Sequence, residues 1–416
     1  MLLAAAALVT FSRDVAPILY RNCVACHRPG GVAPFPLVSY SDASKRAQLI
    51  ATVTAKHYMP PRLPTEPHFQ NERQLSAAQI SMLAEWAAAG TPEGNRAETP
   101  RPPEFPEGWQ LGKPDLEAAM PAAFDVPADG PDLYQCFVLS PPADRDHYVR
   151  ALDIRPGNPK VVHHAILFQD ITGTARQRDQ GHGYSCFGTP GFLPARGLGG
   201  WTPGALPFQT PADIPELFHG RSDLVLQVHY HPTGKPESDQ TRVAVYFTDR
   251  KPARHAADIP LGSNRIDIPP GDTAYKVTDH FVLPVDVDAI AINPHAHYVC
   301  QSMYGYAVLP NGTRRTLIRI PQWNFDWQQQ YVYAAPVRLP AGATIMMEFT
   351  YNNSESNPRN PNHPPERVVW GPGSRDEMAG LHITVVPVDP ADADELSDAL
   401  WGKMVRATGA GGLRHK

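Results

Sequence analysis

The sequence predicts a multidomain chain: a small all-α domain at the N-terminus, then two tandem antiparallel β-sandwich domains of jelly-roll-like form. Three observations carry this. The first hundred of the 416 residues hold apolar stripes at helical spacing, whereas Trp109 to about Asp398 holds short apolar runs between proline and glycine turns. There are 46 prolines, about twice the usual ~5%, which disfavours a wholly helical chain. Nearly 300 residues of strand pattern are too many for one sandwich, and a break near Asp258–Asp267 divides them. The expected boundaries are 1–10, a partial signal segment; 11–94, the helical domain; 95–108, a proline-rich linker; 109–262 and 263–398, the two β domains; and 399–416, a C-terminal tail.

The elements follow from the pattern. Arg13 to Asn22 places Val15, Ile18 and Leu19 on one helix face. Ser76 to Ala89 reads as a helix, with Ser76 at its cap, Ile80, Leu83 and Trp86 on one stripe, and Gly90 as its stop. Gly94 to Gly108 (GNRAETPRPPEFPEG) is polar and aperiodic, a stiff linker. Beyond it, strands are expected at Tyr134–Leu139, Val161–Phe168, Leu224–Tyr230, Thr241–Phe247, Ile290–Ile292 and Thr344–Tyr351.

Charge and termini narrow the partners. A formal net charge of -5, without a basic block, argues against nucleic acid. The opening MLLAAAALVT is apolar but too short to span a bilayer. It reads as the apolar part of a secretory signal lacking its basic start, or alternatively as an apolar helix end.

Cys23, Cys26 and His27 spell C-V-A-C-H. With 5 Cys and 17 His in 416 positions, chance supplies roughly 0.002 such patterns. Two thiols one turn apart form thioethers to haem vinyl groups, and the adjacent imidazole becomes the proximal iron ligand. A redox dithiol or half a zinc site is the competing reading, but no second Cys pair precedes Cys136. His57-Tyr58-Met59-Pro60-Pro61 offers the sixth ligand, with Met59 chosen over His57, His68 and Met82. Motif order and the Met-Pro-Pro loop resemble a class I cytochrome c domain. Haem attachment of this kind implies an extracytoplasmic address, periplasmic or secreted.

The β region holds paired histidines: His163-His164, His229-x-His231 and His295-x-His297. Each pair alone is as compatible with a structural role as with a metal. His295 and His297 follow an apolar strand and project from one face, so they can share an ion. His163 and His164 are strand neighbours, and sharing one ion needs a twist or bulge between them.

Four ordered words, VVHHAILF, LVLQVHY, PHAHY and DEMAG, resemble the copper type II ascorbate-dependent monooxygenases, the family of peptidylglycine alpha-hydroxylating monooxygenase and dopamine beta-monooxygenase. The resemblance spans roughly Asp132 to Pro387. It implies one copper held by His163, His164 and His229. A second, catalytic copper would be held by His295, His297 and Met378, whose thioether favours Cu(I). It also implies a Cys136–Cys186 disulfide, leaving Cys300 unpaired, and it sets Gln227 near a path between the sites. His231 has no counterpart and reads as a surface or supporting residue. Where the peptide-hydroxylating members hold a substrate carboxylate with Arg and Tyr, this chain has Asn293 and His382, so a glycine-extended peptide is not the expected substrate.

The implied function is hydroxylation of a C–H bond in a small organic substrate by O2. Electrons would come from an ascorbate-like reductant, from a redox protein, or through the fused haem. The expected cofactors are therefore two copper ions and one covalent haem c, with no membrane span. Two other classes stand beside this reading. One is a non-catalytic copper and haem electron-transfer protein. The other is a cupredoxin-type copper–haem reductase, which wants a Cys followed closely by His and Met; Cys300 is followed by Met303 with no His between.

Overall fold

The computed structural model describes residues 8–61, 64–105, 108–139, 145–192, 196–211 and 213–407. The chain divides into two units, one of Met1–Arg62 with Asn71–Gly108, the other of Leu63–Gln70 with Trp109–Lys416. Most of the expected signal segment (1–7) and the end of the expected tail (408–416) lie outside the described residues. Among the described residues, no helix is long and apolar enough to cross a membrane.

The first unit is built from short helices. A π-helical turn at Phe11–Val15 runs into Ala16–Asn22, where Pro17 occupies the first turn, as its lost N–H allows. Tyr40–Ser44 and Ala47–Ala55 follow. Ala77–Ala88 starts at a capping box in which Ser76 accepts from the Gln79 amide and Gln79 accepts from the Ser76 amide. Such a cap is worth about 1 kcal/mol. Phe11, Leu19, Leu83 and Trp86 form the core, and the indole of Trp86 donates to Pro92 O at 3.1 Å.

The second unit is almost entirely β. One five-stranded sheet contains Leu116–Ala119, Arg242–Thr248, His147–Arg155, Phe208–Gln209 and Glu216–Phe218. Another runs in the order Tyr184–Ser185, Leu133–Leu139, Asp223–Tyr230, Val162–Asp170, Arg196–Trp201. A four-stranded sheet orders Ala257–Gly262, Gly380–Pro387, Val287–His295 and Tyr331–Leu339. The last orders Tyr275–Val282, Thr344–Tyr351, Cys300–Val308 and Arg314–Ile320. Every strand pair in these sheets is antiparallel. Side chains from the two five-stranded sheets share a core containing Phe137, Leu152, Leu167, Leu226 and Val243. Those from the four-stranded sheets share one containing Leu261, Ile292, Met303, Ile318 and Leu381. Each large apolar side chain so buried stabilises by about 1.5–3 kcal/mol.

This corrects the expected fold class. The four larger sheets are small, antiparallel and arranged like a four-bladed propeller, not as two tandem jelly-roll-like sandwiches, and helices make up only 16% of the chain. Nor is there a distinct all-α cytochrome domain. The helical stretch is interrupted, because Leu63–Gln70 leaves it and joins the β unit. There Glu66 bridges Arg319, Phe69 bridges Tyr333, and the amides of Thr65 and Gln70 donate to Arg319 O and Val332 O. The segment carries Pro64 and Pro67, which suit an edge partner and not a helix. Phe69 fills the β core against Tyr331 and Tyr333, with ring centroids 5.2 Å apart in each pair. The expected linker also differs: residues 95–108 group with the helical unit, with a 3-10 turn at Arg96–Glu98 and Thr99 donating to Ser12. The expected tail begins inside a helix, Ala393–Ala407, whose Leu396 and Leu400 enter the β core.

Cys136 and Cys186 form a disulfide across 50 residues. Closing a loop of that length removes about 4 kcal/mol of unfolded-chain entropy. Cys300 is buried, its Sγ facing the carbonyls of Ser302 and Thr350.

Candidate metal centres

The strand pairing assembles the first histidine cluster. Asp223–Tyr230 pairs Val162–Asp170 with His229 opposite His164, but the next pair is Tyr230 with Val162. His163 is the extra residue of that step, a bulge that turns its ring to the side its neighbour faces. His163 Nδ1 and His229 Nδ1 lie 3.3 and 3.4 Å from His164 Nδ1. Imidazole nitrogens held at ~2.0–2.1 Å around one tetrahedral ion are separated by about this much. Their ligand atoms all lie within 4.8 Å of one another, so the three residues fit a metal ion.

Around this cluster sit Asp132 and Tyr134, which no sequence pattern marks, together with His231 and Gln227. Asp132, its side chain 3% exposed, faces His229 Nε2 at 3.2 Å off the line of a good hydrogen bond and accepts from His231 Nδ1 at 2.7 Å. Burial pushes the Asp132 carboxyl up, but its contacts with His229 and His231 outweigh that and hold it well below the usual range. His231 is raised by the same bond, and its side chain is 45% exposed, so it supports the cluster from outside. Tyr134 stacks on His229 with centroids 4.2 Å apart and planes at 14°. Gln227 sits two residues along the same strand, and its amide lies 3.5 Å from Cys186 Sγ, against the disulfide.

The second cluster forms where Val287–His295 ends. His295 lies opposite Gly380 in register. His295 Nε2 is 3.2 Å from Met378 Sδ, and the rings of His295 and His297 meet at 90° with centroids 5.3 Å apart. The tautomers follow from the other nitrogens. His295 Nδ1 donates to Gln328 Oε1 at 2.5 Å and His297 Nδ1 to Asp376 O at 3.1 Å, so both Nε2 atoms are free to bind an ion. Two imidazoles and a thioether form a donor set suited to Cu(I).

Glu377, fully buried, accepts from the amides of His297 and Met378 and so ties both arms of the cluster together. Burial pushes its carboxyl up to about 8. Tyr351 donates to Met378 O at 2.8 Å, and Trp323 Nε1 donates to His297 O at 3.1 Å. Phe325 lies between the clusters: its ring stacks on His163 at 4.5 Å and meets His297 edge-on at 5.6 Å. Asn293 is exposed and lies opposite His382, which bonds Asp258 at 2.8 Å. Cys300 joins no His, Cys, Asp or Glu cluster among the described residues.

In the helical unit, Cys23 and Cys26 are free thiols on one turn, with the Cys26 and His27 amides donating to Cys23 O. His27 Nδ1 donates to Phe35 O at 3.0 Å, which leaves Nε2 available. These residues fit a thioether-linked haem with a histidine ligand. Met59 is part-buried, with its amide bonded to Val53 O, and His57 is exposed. His57, Leu75 and Ile80 help line an open cleft of about 710 Å³. Met82 packs on the helical core, and His68 belongs to the β unit, where its carbonyl accepts from Ala334.

Burial depresses all five cluster imidazoles, His163 and His164 well below their usual value, His229 less far, His295 to about 4 and His297 to about 3. They titrate near ~6.5 in an unfolded chain. Below that pH the unfolded chain takes up protons that the folded chain refuses, so stability falls as pH drops. His231, His382 and Glu377 run the other way, their raised values adding stability as pH falls, and the five depressed imidazoles outnumber them. The metal-free chain is therefore expected to lose stability steadily between about pH 6.5 and 4. Urea midpoints across that window check it; a flat or rising midpoint contradicts it.

No family model and no curated protein matches the chain. Among solved structures, the chain is similar to the VP2 subviral particle of infectious bursal disease virus at 9% identity, covering 72% of this chain and 76% of that one, with a TM-score of 0.22. The CBM22 tandem domain of Paenibacillus barcinonensis Xyn10C gives 8% identity, 64% and 82% coverage, and a TM-score of 0.17. Likenesses this slight carry no argument about fold or function.

Proposed function

We propose that the chain is a copper-dependent monooxygenase that hydroxylates a C–H bond of a small organic substrate with O2. The observation that carries this reading is the Met378 thioether 3.2 Å from His295 Nε2, beside His297. Support also comes from the separate three-histidine cluster and from the ordered resemblance to the copper type II monooxygenases. Copper bound at both clusters supplies one-electron chemistry toward dioxygen.

The protein's own groups divide the work. His163, His164 and His229 would hold one ion, which would supply electron storage; His295, His297 and Met378 would hold the other, which would supply chemistry toward dioxygen. Gln328 and Asp376 O fix the tautomers of His295 and His297, so neither ring needs to move a proton to bind. Phe325 packs between His163 and His297. Asn293 and His382 are candidate substrate contacts, neutral or weakly basic where an arginine would grip a carboxylate. In the other unit, Cys23 and Cys26 would anchor haem c, and His27 and Met59 would supply its iron ligands. Electrons arrive from an ascorbate-like reductant, from a redox protein, or through that haem. Covalent haem and the Cys136–Cys186 disulfide together fit an extracytoplasmic address, periplasmic or secreted.

Labelled dioxygen is the test. Reduced, copper-loaded protein given a metabolite extract of its source should place one labelled oxygen atom in a product, and Met378→Ala should place none. Absence of oxygen uptake by the loaded wild-type chain overturns the oxygenase reading in favour of a copper and haem electron carrier.

A further inference from the structure

The segment carrying Met378 is held by the surroundings of His229. Asp132 Oδ2, which faces His229 Nε2, also accepts from the Ser374 amide at 3.2 Å. Tyr134, whose ring stacks on His229, donates its hydroxyl to Pro372 O at 3.2 Å. Asp132 and Tyr134 are two residues apart, on one side of the chain entering the Leu133–Leu139 strand, and Tyr134 lies directly opposite His229 in register. Pro372 and Ser374 begin the turn that ends at Met378, with Asp376 capping Gly373 inside it. The supports of one cluster's third ligand thus grip the loop that supplies the other cluster's thioether.

We propose that Asp132 and Tyr134 are positioning residues that lock the Met378 loop to the three-histidine cluster, so that an ion held by His229 sets the placement of the Met378 sulfur. This rests on the copper reading of both clusters. An ion on His229 Nδ1 fixes the ring, the ring fixes Asp132 and Tyr134, and these fix Pro372 and Ser374. Coupling of this kind is reciprocal: filling either site tightens the other. Neither residue touches the Met378 ion, so their effect on it passes entirely through the loop.

The test uses the full chain and cuprous ion alone, bound in competition with a chelator, with the copper–sulfur signal in X-ray absorption as the readout of Met378. Tyr134→Phe keeps the stacked ring and removes the hydroxyl. Asp132→Asn keeps the shape and weakens the bond to Ser374. Each should weaken Cu(I) at the methionine site by about fivefold, the worth of one hydrogen bond, and lower the copper–sulfur signal at one added equivalent per site. A structural role alone would shift the melting temperature and leave that signal intact. Unchanged methionine-site affinity and sulfur signal in both variants overturns the proposal while wild type still binds two ions. If wild type binds no copper at either cluster, the copper reading itself has failed, and the coupling with it.

Discussion

A His164→Ala chain is expected to retain one copper where the parent retains two, and to lose turnover with it. His164 Nδ1 is the shared vertex of its cluster, with His163 Nδ1 at 3.3 Å and His229 Nδ1 at 3.4 Å. Removing it leaves two imidazoles, one of them placed by a bulge that the missing ring no longer opposes. Changes to groups that merely orient a metal ligand cost about 10–100-fold in affinity, so loss of a ligand exceeds about a hundredfold. That loss is enough to empty the site on dialysis. Turnover falls because a second electron is no longer stored, while His295, His297 and Met378 are untouched and keep their ion. Copper per chain by elemental analysis, with oxygen consumption alongside, measures both. Two ions retained in His164→Ala would show that this cluster is a packing arrangement of buried histidines.

The second large effect concerns haem. A Cys23→Ala/Cys26→Ala chain, produced where c-type haem is attached, should carry no covalent haem on a denaturing gel, whereas the parent should stain. Both thiols lie on one turn, and the Cys23 thiol is pushed up to about 12, chiefly by burial. If haem feeds copper, turnover driven by a reduced cytochrome should vanish in the double variant while ascorbate-driven turnover survives. Equal loss of both, or of neither, would sever the haem from the copper chemistry.

Much of the chemistry was legible in the sequence because it is local. C-V-A-C-H, the His-x-His pair and the strand around His163 and His164 are words of a few residues, and the need for a bulge at His163 follows from the period of a strand alone. The fold was less legible. Short apolar runs identify strands such as Thr344–Tyr351, which has the expected bounds, but the pattern of one strand does not say which strand pairs with it. Sheets closed into a propeller-like arrangement and sheets stacked in tandem share one period. Glu66 and Phe69 likewise lie between helical stretches of the sequence, and only their pairing with Arg319 and Tyr333 makes their segment part of the β unit.

By itself the sequence determined the side-chain types: imidazoles in two groups, one thioether, and two thiols beside a histidine. Only the tertiary structure decided what surrounds them. Asp132, Tyr134, Phe325 and Gln328 reach the clusters from segments tens of residues or more away, and Glu377, beside Met378 in sequence, meets the His297 amide across 80 residues. Their contacts are set by which strands pair and how loops return, interactions between residues distant along the chain that no short stretch can encode.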